Sequence, residues 1–254
     1  MRVIWILAKN TYREIIRDRI LYGLIVFALL LVGFSLALGQ LSFTEQARIS
    51  GNFGFAGIHI SAMMLSIFIG ASLVAKEIDK KTIMTLLVRP LTRLQFILGK
   101  SVGLSLVILT VIFGLALVLL LVFFGLGLEI HLNFLRGLWG VFLEALLLLG
   151  VAMFFSSFAR PVTVISCSIG LFLIGHWINN LNYFADQSSS QSFKSTAEFI
   201  STVLPNLERF NWRGAVLEPN FISEGMVSAS LYSFSWFITC ILLTAIIIRR
   251  KDFG

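Results

Sequence analysis

The chain has 254 residues, 57% of them hydrophobic and only 13% charged, with 20 Lys and Arg against 13 Asp and Glu for a formal charge of +7; its mean hydropathy is +0.92. Soluble domains are about half apolar and about a quarter charged, so lipid is the expected solvent, and no polar block is long enough to be a soluble catalytic domain. The basic residues flank apolar runs rather than gathering on one soluble face, which favours anionic lipid headgroups over nucleic acid as their partner.

In chain order, residues 1–19 are too charged to insert. On a helical wheel Arg2, Lys9, Arg13 and Arg17 fall within roughly 80° of arc, with Ile4, Leu7, Ala8, Tyr12 and Ile15 opposite. This pattern predicts an interfacial helix on the inner leaflet; the plainer alternative is that the cations serve only as a topology signal. Membrane spans are then expected wherever about 20 apolar residues run unbroken, which occurs at 20–38, 54–75, 102–124, 138–158, 162–181 and 226–248. The runs are continuous rather than alternating, as helices require and barrel strands of about 9–11 residues do not. The first is too long for the apolar part of a signal peptide, and five more follow. The expected fold is an all-α integral membrane protein forming a single membrane domain.

Between the second and third spans lies a polar elbow, 76–100. Its KEIDKK run ends the second span, and 82–88 is too short to cross a bilayer yet places Ile83, Leu86 and Leu87 on one side of a helix. Pro90 stops that helix. A second short helix follows, with Arg93, Phe96 and Lys100 leading into the third span. Paired short helices with an apolar knob and flanking charges suit a docking peg for a cytoplasmic partner; an ordinary basic inner loop explains the charges but not the apolar face. Gly99, Lys100 and Ser101 imitate the end of a phosphate-binding loop, but Leu94 stands where that loop needs Gly, and the segment opens a membrane helix instead of following a strand. Gly99 with Gly103 reads better as a close helix-packing site.

Farther on, Glu129 and Arg136 fall at an outer boundary, while Glu144, His176, Asn179 and Asn180 are polar groups within apolar runs. Intramembrane ionisable residues are costly and face the protein interior or a watery cavity. Glu144 and His176 both fall in the outer half, which predicts a shared polar cluster serving substrate or proton contact, or else an interhelical hydrogen bond that fixes packing. Cys167 and Cys240 lie within spans without metal-ligand spacing and are expected to be buried structural thiols. The outer loop 182–225 contains Ser195 with Glu198 three residues on, a capping-box pattern, then a helix stopped by Pro205. A semi-apolar piece with Phe210 and Trp212 suits an interfacial or re-entrant position. The sequence has no G-x-S-x-G, no H-E-x-x-H and no intramembrane acid pair at helical spacing, so an intramembrane enzyme is disfavoured.

Orientation follows from the Lys and Arg bias of cytoplasmic loops. With the N-terminus inside, fifteen of the 20 basic residues fall on the inner side and five, Arg48, Arg136, Lys194, Arg209 and Arg213, on the outer. Both termini and the elbow are therefore expected in the cytoplasm.

The elbow resembles the signature of ABC type-2 permeases, the membrane subunits of a class of ABC transporters. In that signature a Glu at the end of the second span precedes Thr-x-x-x-Leu-Leu, a Pro, a basic residue and Gly-Lys; here Glu77, Thr82, Leu86, Leu87, Pro90, Arg93, Gly99 and Lys100 stand at those places. Many members have Gly before the Thr, where this chain has Lys81. The six spans, the N-terminal helix, the LPNLERFN stretch from Leu204 and the RRKDF tail extend the likeness over nearly the whole chain. By length and layout the chain is similar to the branch that includes the permease of the nitrous oxide reductase maturation system.

The resemblance implies a multi-pass protein of the bacterial inner membrane, acting as the permease subunit of an ATP-driven exporter. It implies a homodimer, or a pair of like subunits, on two separate ATPase subunits that hold ATP and Mg, so that this chain binds no cofactor and hydrolyses nothing. The elbow becomes the coupling helix, with Leu86 and Leu87 as its buried contact. Glu77, Asp79, Lys80, Lys81, Thr82, Arg89, Pro90 and Arg93 surround that contact. Glu144, His176 and Asn179 become candidates for the translocation path. Pro205, Phe210 and Trp212 belong to an outer gate or a docking surface for an extracytoplasmic partner. A rival reading is a membrane anchor or assembly subunit of a maturation complex that transports nothing itself.

Overall fold

The computed structural model describes residues 2–40, 46–79, 92–127, 132–212 and 225–250. These residues are helical apart from short turns, and none of them lies in a strand. The helices are α1 (Arg2–Ile16), α2 (Arg19–Gln40), α3 (Gln46–Asp79), α4 (Arg93–Gly125), α5 (Asn133–Ser156), α6 (Pro161–Gln187), α7 (Gln191–Val203) and α8 (Met226–Arg250), with a 3₁₀ turn at Leu207–Phe210 between the last two. Five of them, α3, α4, α5, α6 and α8, contain stretches long and apolar enough to cross a membrane, and α2 carries a shorter apolar stretch, Leu21–Phe34.

The α5 helix is the mast of the bundle. It contacts α3, α4, α6, α8 and the 3₁₀ turn, and Leu143 to Met153 are buried without a break. A helix apolar all round is one enclosed on every side. Small residues let the neighbours close on it: a Cβ on Gly150 would sit 3.0 Å from the Phe237 ring of α8, and one on Gly70 of α3 would sit 2.7 Å from the Ala152 Cβ. Two hydroxyls cross-link the mast without leaving a polar atom in an apolar core. Ser156 Oγ donates to the Ala71 carbonyl at 3.0 Å, and Ser233 Oγ to the Leu143 carbonyl at 2.6 Å.

The α1 helix turns at Arg17 and Asp18 and lies along α4 rather than standing apart. Ala8, Thr11 and Ile15 are buried on α4, while Trp5 and Ile6 are exposed. The apolar face assigned from sequence to the inner leaflet is thus largely covered by protein. The Gly99 and Gly103 pair makes this possible: a Cβ on Gly99 would lie 2.6 Å from the Leu7 Cβ, and one on Gly103 would lie 2.6 Å from the Ala8 carbonyl oxygen. Gly99, Lys100 and Ser101 are therefore buried helix-packing residues.

Several helix ends differ from the sequence expectation. α4 begins at Arg93, nine residues before the apolar run at 102, so the second short helix of the elbow is the first turns of α4 itself. Thr92 sets that start by a capping box, its Oγ1 accepting from the Gln95 N–H at 3.3 Å while the Gln95 side chain accepts from the Thr92 N–H at 3.2 Å. α6 runs on to Gln187, and α7 begins at Gln191 with Ser190 as its cap. The expected Ser195 cap is instead inside α7, its hydroxyl turned back to the Gln191 carbonyl at 3.1 Å. Cys240 is buried as expected, but Cys167 is exposed, because α6 turns one flank outward.

Candidate functional site

Three helices bring ionisable side chains to one point inside the bundle. Glu144 of α5 is 1% exposed, His59 of α3 is 3% exposed, and His176 of α6 is 20% exposed. His59 Nε2 lies 2.9 Å from Glu144 Oε2, a hydrogen-bond distance. His176 Nε2 lies 3.5 Å from Glu144 Oε1, and neither of these two buried atoms makes a hydrogen bond among the described residues. The other nitrogen of that ring, Nδ1, sits 3.2 Å from the Phe172 carbonyl oxygen one turn earlier. Phe172 also walls the site, with its ring centroid 4.7 Å from that of His176 and 5.8 Å from that of His59.

The helical rise of 1.5 Å per residue gives the depth. Glu144 is eleven residues into α5 and His176 eleven residues before the end of α6, roughly 16 Å from helix ends that the charge bias assigns to the same side. The pair expected from sequence is thus brought together. His59, which completes the group, escaped that reading although it satisfies the same criterion, an ionisable residue inside the apolar run 54–75. Asn179 and Asn180 are not members; both are exposed.

Asn179 serves a neighbouring structure. Its Oδ1 accepts from Asn206 Nδ2 at 2.8 Å, and the Asn206 backbone N–H donates to the Tyr232 hydroxyl at 3.0 Å. These bonds seat the segment 204–212 as a cap wedged between α5, α6 and α8. Pro205, Leu207, Phe210 and Trp212 are buried within it. Glycines admit the cap: a Cβ on Gly175 would come 2.7 Å from Leu207 Cγ, and one on Gly140 would come 2.5 Å from the Phe210 carbonyl oxygen. Gly175 adjoins His176 and Gly140 precedes Glu144 by one turn, so the cap packs against the helix segments that carry the polar group. The residues assigned from sequence to an interfacial or re-entrant position are thus packed against protein.

At the opposite end, Arg93 in the first turn of α4 donates from Nη1 to the carbonyls of Ile248 and Arg249 at 2.7 and 3.0 Å. Those acceptors belong to the last turn of α8, where unsatisfied carbonyls and the helix dipole favour a cation. The elbow residues 80–91, including Lys80, Lys81, Thr82, Leu86, Leu87, Arg89 and Pro90, lie outside the described residues. Glu77 and Asp79 fall in the last turn of α3.

An amphipathic helix thus leads an apolar helical bundle, and α3 and α4 flank the elbow. The family model of the ABC-2 family transporter protein matches residues 5–208. The chain belongs to the ABC-2 transporter family. The match takes in α1 to α7 and the beginning of the cap, and therefore the whole polar group and the elbow. Among curated proteins no sequence matches the chain. Members of the family are membrane components, which accords with the multi-pass helical architecture and with association with ABC ATPase subunits.

Proposed function

We propose that this chain is the permease subunit of an ATP-driven ABC type-2 exporter. It spans the bacterial inner membrane six times, α2 and the five longer helices each crossing once, with both termini and the elbow in the cytoplasm. Two copies pair and rest on two separate ATPase subunits, which hold ATP and Mg. By length and layout we place it in the branch of the permease of the nitrous oxide reductase maturation system.

The observation that carries this reading is the clamp between Arg93 and the end of α8, set immediately after the elbow in a chain of this family. Closure of an ATPase dimer shifts a permease between inward-open and outward-open states only through contacts that differ between them. A push on 80–91 enters α4 at Thr92 and reaches α8 through Arg93. From there the load passes to the α5 mast and to the cap over Glu144 and His176, which we assign as the outer gate above the translocation path.

Charge reversal at Glu77 (Glu77→Lys) and Leu87→Asp test the coupling. Both are expected to lose the ATPase on affinity purification, or to retain it with ATP hydrolysis no longer responsive to the permease. Unchanged co-purification and unchanged hydrolysis in both variants would contradict the assignment. A complex that assembles normally and whose cargo traffic is indifferent to both changes would instead indicate an anchor or assembly subunit.

A further inference from the structure

We propose that His59, Glu144 and His176 form a binding site for one divalent transition-metal ion of the zinc class, inside the bundle and beneath the outer cap. The donor atoms of the three residues all lie within 4.8 Å of one another.

The tautomer of His176 decides what this gap can hold. A backbone carbonyl can only accept, so the 3.2 Å contact between Nδ1 and the Phe172 oxygen places the ring proton on Nδ1. The lone pair of Nε2 then points at Glu144 Oε1, a second acceptor, across 3.5 Å with no hydrogen bond to either atom among the described residues. Two buried acceptors face to face require a positive particle between them. A proton would draw nitrogen and oxygen to a charge-assisted hydrogen bond of about 2.7–2.9 Å. An ion bonded to both at about 2.0–2.1 Å spans the observed gap at close to the tetrahedral angle. The Nδ1–H bond to a carbonyl is also the second-shell partner that metal-ligating histidines usually have, since it fixes the ring and leaves Nε2 free to ligate.

His59 supplies the third ligand. It now bonds Glu144 Oε2 at 2.9 Å, and since ligands of a tetrahedral ion stand roughly 3.3 Å apart, loading draws its ring away from that oxygen and toward His176. Two imidazoles and one carboxylate suit zinc, cobalt(II), nickel(II), copper(II) or iron(II). Magnesium and calcium demand an oxygen shell, and copper(I) favours sulfur. Neither cysteine belongs to the group. Three ligands from three helices leave a fourth position for water or an anionic group. Bound there, the ion ties α3, α5 and α6 together below the cap. The inference is independent of the transporter reading, because equilibrium metal binding needs no ATPase.

The test uses the full chain, carrying a tag without histidine, in lipid nanodiscs, stripped with a chelator and dialysed against zinc or cobalt(II). The expected result is about one equivalent of metal per chain and the intense visible bands of cobalt(II) with low coordination number. Glu144→Gln and His176→Gln are expected to weaken binding by at least about tenfold, whereas His131→Gln, which alters the third histidine of the chain, leaves it unchanged. No retained metal in the unaltered chain, a cobalt spectrum like that of the six-coordinate hydrated ion, or undiminished affinity in folded Glu144→Gln and His176→Gln would overturn the proposal. Should those two variants fail to fold, stoichiometry and the cobalt spectrum of the unaltered chain and of His131→Gln decide it.

Discussion

Removing a carboxylate from water inside a bundle costs several kcal/mol unless charges and hydrogen bonds compensate. Glu144 is compensated unevenly, by His59 at 2.9 Å on one oxygen and by a 3.5 Å approach of His176 on the other. That asymmetry separates a site with capacity for a ligand from a closed structural pair. The glycines around it are equally specific. At Gly140 a methyl group would strike the Phe210 backbone oxygen at 2.5 Å and approach the Trp212 ring to 3.1 Å, whereas at Gly23 nothing lies within 4 Å. Gly140→Ala is therefore expected to destabilise the protein by about 1–3 kcal/mol through overpacking, and Gly23→Ala to be neutral or stabilising by up to about 1 kcal/mol. Thermal unfolding in detergent measures the contrast, at roughly 2–4 °C per kcal/mol for a chain of this size. Equal melting temperatures would show that the cap does not press on Gly140. At this scale the sequence was partly legible. Glu144 and His176 could be paired by depth and topology, since each interrupts an apolar run at a computable distance from its end. His59 meets the same criterion, lying inside the apolar run 54–75, and was passed over; that its face of α3 turns toward α5 and α6 is shown only by the packing.

At the scale of elements, apolar length revealed where helices cross but not where they begin. Hydrogen bonding continues along a helix regardless of polarity, so α3 and α4 extend past their apolar runs into polar sequence, to Gln46 at one end and Arg93 at the other. Local capping chemistry decides such ends. Thr92-x-x-Gln95 carries the capping signature and fixes α4, while Ser190 caps α7 and leaves Ser195 in mid-helix. The Arg93 clamp joins two elements far apart in sequence and had no signal of its own in the chain. Arg93→Ala removes two hydrogen bonds from a charged donor, each worth about 1.5–3 kcal/mol in a buried setting and less here because Arg93 is only partly buried. The expected outcome is faster amide hydrogen exchange in the last two turns of α8 with unchanged exchange around Glu144 in α5. Identical protection at the end of α8 would mean that Arg93 does not hold it.

For the molecule as a whole, family membership over residues 5–208 and five long apolar helices agree on a multi-pass membrane protein. The composition announced this, since a chain with so few charges and such long apolar runs has no soluble alternative. The central claim is that an external ATPase acts on this bundle through the cytoplasmic elbow, and a photo-crosslinking amino acid in place of Leu87, activated in native membranes, tests it most directly. The expected product is a specific adduct with a nucleotide-binding ATPase subunit, changed in yield by ATP and absent when the crosslinker replaces an outer-cap residue such as Arg209. A crosslinked product lacking any nucleotide hydrolase, or labelling of position 87 by an impermeant reagent from the outer side, would contradict it.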